Sequence, residues 1–159
     1  MSMKRFFLYV FLLIGSSGFL QGCTKKAVPV PIPNNAMSAQ IGTIKFNSTG
    51  NDISVVIAAN PLDTSKTALY ITGLMDVGRS DLSYISIGVL DYNKSNGIGT
   101  YNVSSSDADG IYDPGSGLED YFIDGYVVIT ASGSTISGTF QSITQSGSII
   151  SNGTFSVEP

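Results

Sequence analysis

The chain has no histidine and no tryptophan, and Cys23 is its one cysteine. Each absence closes a class of chemistry. Without histidine, Ser-His-Asp and Cys-His mechanisms lack their base. Without histidine or a second cysteine, a zinc site lacks its usual ligands, and no internal disulfide can form. Tryptophan is the best stacking surface for sugars; seven tyrosines beyond residue 22 could substitute, although most alternate with core positions and read as packing residues with a wet hydroxyl. Charge is sparse, at 13% of residues. No Walker-type or dinucleotide-binding loop is present, since Gly97-Ile98-Gly99 lies between strand patterns with no helix to follow. No cofactor is expected beyond the calcium considered below.

The first residues carry an address. Lys4 and Arg5 precede a continuous apolar run, Phe6 to Ile14, and small residues follow. This is the order of a secretory signal peptide, and the run is too short to span a bilayer, which needs about 20 apolar residues. Leu20-Gln21-Gly22-Cys23 closes the segment. It resembles the lipobox of bacterial lipoproteins, with Leu20 three before the cysteine and small Gly22 just before it; Gln21 is a less common second residue at a permissive position. The resemblance implies a diacylglyceryl group on the Cys23 thiol and cleavage in front of it, with residues 1–22 lost. A mature lipoprotein of this type carries at least two acyl chains, and each buried CH2 contributes about 0.8 kcal/mol to membrane binding. Thr24 supplies no acidic retention signal after the cysteine, so the expected site is the cell envelope, the outer membrane rather than the inner.

Without Lys4 and Arg5, six of the eight basic residues remain against twelve acidic ones, a net charge of −6. Such a chain is a poor partner for nucleic acid or anionic headgroups. Residues 23–36 read as a lipidated cysteine and tether, in which Pro29, Pro31 and Pro33 alternate with Val30 and Ile32. Prolines restrict their predecessors to extended conformations and cannot serve a central strand. At about 3.1 Å per residue, Thr24 to Ala36 reaches about 40 Å.

From Met37 to residue 159 the pattern is β. Ile53, Val55, Ile57 and Ala59 alternate; so do Leu69 and Ile71; Ile85, Ile87 and Val89; and Tyr121, Ile123, Val127 and Ile129. A period of two places each set on one face of a strand. Met37, Ala39 and Ile41 alternate, and then Ile44 and Phe46 take the opposite parity, which a bulge at Gly42 would absorb. Turn chemistry separates the runs at Asn60-Pro61, Asp76-Val77-Gly78, Asn96-Gly97, Ser132-Gly133-Ser134 and Ser146-Gly147-Ser148. The spacing predicts strands near 37–46, 53–59, 67–74, 83–91, 98–103, 121–131, 135–144 and 149–158. Short strands with tight turns indicate a single all-β domain, an antiparallel sandwich or barrel of about eight or nine strands.

Ile136-Ser137-Gly138-Thr139-Phe140 is echoed by Ile150-Ser151-Asn152-Gly153-Thr154-Phe155. Two such arms paired across Gly147 would present Phe140 and Phe155 to the core. Together with Tyr126 to Thr130, Met37 to Ile41, Ile71-Thr72-Gly73 and Gly99-Thr100-Tyr101, these segments resemble a group of small, uncharacterised Bacteroidota lipoproteins. The likeness covers most of 37–158 and rests on short β motifs. Ile44 departs from it, standing where the group often has an aromatic residue. The group has no assigned activity, so the resemblance implies fold and address and carries over no site.

Ser104 to Asp120 lacks a strand pattern, and long loops in compact domains tend to be functional or disordered. Asp107, Asp109 and Asp113 fall in it, with Glu119 and Asp120 at its end and Asp124 just beyond. Clustered carboxylates on a turn suit Ca2+; an EF-hand fails, because Gly110 stands at relative position 4 and Leu118 at position 12. The expectation is a calcium site on Asp107, Asp109 and Asp113, against a solvated acidic turn. Three functions remain: an accessory domain that binds a small ligand, glycan or protein partner through loops at one end of the scaffold; a carboxylate hydrolase using Asp113 with Glu119 or Asp120; and a structural envelope protein.

The address is testable at one atom. Cys23→Ala should abolish labelling by a fatty-acid analogue and shift the protein out of the membrane fraction. Equal labelling and retention of the variant would refute lipidation at Cys23.

Overall fold

The computed structural model describes residues 35–75, 82–93 and 96–159, all within the unit Pro31–Pro159. The signal segment, Cys23, the tether up to residue 34 and the Asp76-Val77-Gly78 turn lie outside the described residues. Ten strands follow in order: β1 Ala36–Ile41, β2 Ile44–Thr49, β3 Ile53–Ala59, β4 Thr67–Met75, β5 Ser83–Val89, β6 Gly99–Asn102, β7 Ala108–Asp113, β8 Asp120–Ala131, β9 Ile136–Thr144 and β10 Ile149–Val157. They form one antiparallel sheet in the order β2-β1-β10-β9-β8-β7-β5-β4-β3, with β6 paired to β8 alone. The sheet rolls into a nearly closed barrel.

The edges β2 and β3 are joined by a short 3-10 turn at Gly50–Asp52, and β2 packs on β4 beyond β3. The Asn47 amide donates to Met75 Sδ at 3.4 Å, and the Phe46 ring lies against Gly73. β3 therefore stands partly free of the interior. Ile53 is buried and Val55 half-buried, but Ile57 and Ala59 are exposed, contrary to the face expected from their alternation.

Two further departures have one cause, a shift of parity by an odd step. The run 37–46 is two strands and not one bulged strand. Ile41 pairs with Ile44 across a two-residue turn in which Gly42 has φ 54. A step of three residues reverses parity as a bulge does, so alternation alone does not separate the two; the positive φ is the part that suits glycine. A bulge does occur on β10, where Asn152 at φ 52 is the extra residue against both β1 and β9. In β8 the register shifts between Phe122 and Asp124. As a result Phe122 points inward with Val127 and Ile129, while Tyr121 and Ile123 point out to solvent.

The stretch 104–120 contains a strand of its own, β7. Its inward residues are Ala108, Gly110 and Tyr112, small enough at two of three positions to hide the alternation. Gly110 has to be glycine, because a Cβ there would fall 2.3 Å from the Phe122 ring.

The core comprises Met37, Phe46, Leu69, Ile71, Ile85, Ile87, Val127, Ile129, Ile136, Phe140, Ile150, Phe155 and their neighbours. The β9–β10 hairpin turns at Gly147 and brings Phe140 and Phe155 together, ring centroids 6.5 Å apart, as the repeated motif led one to expect. Phe140→Ala should lower unfolding free energy by about 3–5 kcal/mol and Ile129→Ala by about 2–5 kcal/mol, measured by denaturant midpoint at constant slope. A loss below about 0.5 kcal/mol would be a surface response and would contradict the burial of these faces.

Candidate functional site

One end of the barrel carries the β1–β2 turn at Gly42-Thr43, the β7–β8 loop at 114–119 and the β9–β10 turn at Ser146-Gly147-Ser148. Between them lies an open groove of about 770 Å³. Buried Ile41 and Tyr112 form its floor. Its rim is apolar and wet: Leu118 is 75% exposed, Ile149 59% and Ile44 50%. Ile143, paired with Ile149 on the neighbouring strand, and Ile123 on β8 are also exposed and extend the apolar surface along the outside of the barrel. β1 runs from Ala36 to Ile41 toward this end, so the groove lies at the opposite end of the barrel from the point where the chain enters.

Two carboxylates line the groove, Glu119 and Asp120, and the described lining contains no Lys or Arg. The Tyr84 hydroxyl donates to Glu119 Oε1 and the Tyr121 hydroxyl to Oε2, each at 2.7 Å. These bonds hold Glu119 ionised, with its pKa below the usual range, and push the Tyr84 phenol up to about 12. Asp120 Oδ1 accepts the Ser146 amide at 2.9 Å, and Oδ2 accepts the Ser146 hydroxyl. Partial burial opposes ionisation of Asp120, but the Ser146 and Thr144 hydroxyls and the Ser146 and Gln145 amides outweigh it and lower its pKa. The same bonds fasten the β9–β10 turn to the start of β8.

Asp113, the other acid of the expected hydrolase pair, is a turn residue. It is buried, and its Oδ1 accepts the amides of Gly115 at 2.8 Å and Ser116 at 3.0 Å. Its carbonyl accepts the Ser83 hydroxyl at 2.9 Å. A two-carboxylate hydrolysis needs one acid that keeps its proton; the two carboxyls at the groove are both biased toward the ionised form.

The three aspartates expected to hold calcium do not converge. Asp107 lies in the turn before β7, where Oδ2 accepts the Ser105 hydroxyl. Asp113 ends the same strand, about 20 Å away at 3.3 Å per residue. Asp109 faces outward between them, with its carboxylate laid over Gly88, where a Cβ would fall 1.9 Å from Oδ1. Among the described residues no three His, Cys, Asp or Glu are placed to hold a metal ion. The calcium expectation fails because the stretch is a strand and separates what a loop could have gathered.

Leu20, Gln21, Gly22 and Cys23 lie outside the described residues. Tyr84 and Ile149 were not named from the sequence, Tyr121 read as a strand-face residue, Leu118 only as a position where an EF-hand fails, and Ser146 only as turn chemistry. The chain matches no family model, no curated protein and no solved structure.

Asp109 gives a pH test. Its residue is exposed overall, yet the carboxyl itself lies against the sheet, and burial raises its pKa. A folded-state pKa above the unfolded one makes ionisation unfavourable to folding, so the penalty is absent at low pH and develops as pH rises through the carboxylate range. Asp109→Asn should therefore raise the melting temperature at pH 7, with the gain vanishing below about pH 4. Melting curves in EDTA and in millimolar Ca2+ should coincide; a calcium-dependent rise would restore the metal site.

Proposed function

We propose that this chain is a membrane-anchored lipoprotein of the bacterial cell envelope whose barrel is a non-enzymatic accessory domain, binding a partner through the groove bounded by Gly42, Leu118 and Ser146. The lipobox-like Leu20-Gln21-Gly22-Cys23 supports the anchor, with the outer membrane as its site. The observation that carries the binding role is the exposed apolar rim. Soluble domains seldom leave contiguous apolar surface around a concavity unless something covers it. β1 begins at Ala36 and runs toward the groove, so the described chain enters the barrel at the opposite end. A purely structural envelope protein would gain nothing from such a rim.

A photo-crosslinking side chain placed at Leu118 in cells should give a discrete adduct that the same group at Ile98, exposed in the β5–β6 connection, does not give. Ile149→Ser should abolish that adduct. Identical adducts at both positions, or none at Leu118, would exclude the groove as the binding surface.

A further inference from the structure

We infer that the occupant of this groove is a peptide segment of a protein partner that presents a basic side chain between apolar ones. The inference rests on the reading of the groove as a binding site and specifies what it takes. Charge complementarity is the first argument. The described lining offers Glu119 and Asp120 and no cation to offset them, so an anionic ligand meets only repulsion, while Lys or Arg meets two carboxylates.

The second argument is the way Glu119 is held. Each of its oxygens accepts one tyrosine hydroxyl, which fixes the carboxylate in place. A carboxylate has about four lone-pair sites, so two remain for an incoming ammonium or guanidinium, and the position is set before binding. The third argument is what surrounds the acids. Leu118 in the β7–β8 loop, Ile44 at the start of β2 and Ile149 at the start of β10 stand exposed around them, so a bare cation would leave the rim uncovered, whereas apolar neighbours of a basic side chain would cover it. A sugar fits less well, because Tyr112 is the one aromatic residue of the lining and it is buried in the floor.

The test uses the full chain purified in detergent micelles and three fluorescent synthetic peptides of equal length, read by anisotropy. One carries a central Lys among Leu and Val, one a central Glu in the same frame, and one the Lys among Ser. The first should bind, and the other two should not. Glu119→Gln should weaken that binding about fivefold, and Leu118→Ser about tenfold, both without change in the far-ultraviolet circular dichroism spectrum. Equal binding of the Glu peptide or of the Lys–Ser peptide would overturn the inference, as would an affinity unmoved by Glu119→Gln. If none of the peptides binds while the Leu118 adduct forms in cells, this inference falls and the groove reading stands; if the adduct is also missing, both fall.

Discussion

The hold that two tyrosines keep on Glu119 depends on the bulge in β8. This strand of twelve residues has to satisfy more neighbours than any other. It pairs with β9 on one edge, and on the other with β7 at its start and β6 further along. An unbroken strand of that length would keep one parity throughout. The register shift between Phe122 and Asp124 lets Phe122 enter the core while Val127 and Ile129, of opposite parity, enter it too. It also turns Tyr121 outward, where its hydroxyl reaches Glu119. With the parity of Val127 continued to its start, β8 would place Tyr121 inside, and Glu119 would keep one of its two tyrosine donors.

The interior is organised by aromatic rings set against backbone. The Phe155 ring lies where a Cβ of Gly138 would be 2.7 Å away, and the Phe122 ring stands over Gly110. A barrel this narrow has room for large side chains only where the facing position is nearly empty, the large-and-small complementarity that close packing requires. The glycines are therefore core residues. Gly110 also explains why β7 is hard to see in the sequence: in the row Ala108-Asp109-Gly110-Ile111-Tyr112-Asp113 the inward positions hold no large aliphatic side chain, and the outward Ile111 outweighs Gly110 in any hydropathy reading.

What could be read from the sequence is thus what depends on local pattern. The faces of β4, β5 and β9 follow from period two, because both neighbours of each are present and the parity of their core residues is never interrupted; β10 changes parity at its bulge between Ile150 and Phe155. The face of β3 does not, because a strand's inner side is buried only if the barrel closes over it, and closure falls to β2 and β4. The calcium expectation failed for a related reason. It treated Asp107, Asp109 and Asp113 as neighbours on a loop, whereas an extended chain separates residues faster than any other conformation. The acids that do meet, Glu119 and Asp120, were noted in the sequence as members of the same run, but their tyrosine and serine partners come from β5, β8 and the β9–β10 turn. The Tyr84 and Ser146 bonds span 35 and 26 residues, and non-local pairing of that kind leaves no mark on one linear sequence.

The placement of the groove follows from the topology. Antiparallel strands send their connections alternately to the two ends of a barrel, and a chain whose first strand starts at one end delivers its first turn to the other. Gly42-Thr43 is that first turn, and the loops that join it are those whose flanking strands share its direction. Hydrogen bonds from Ser146 to Asp120 bind the β9–β10 turn to the end of the β7–β8 loop, the Asp113 turn holds that loop in a fixed course, and the Gly42 amide of the β1–β2 turn donates to the Ile149 carbonyl at 3.2 Å. Rigid loops lose little conformational freedom when something binds to them. An apolar rim and two oriented carboxylates on connections already pinned in this way are fixed before anything meets them, at the end of the fold opposite Ala36, where β1 begins.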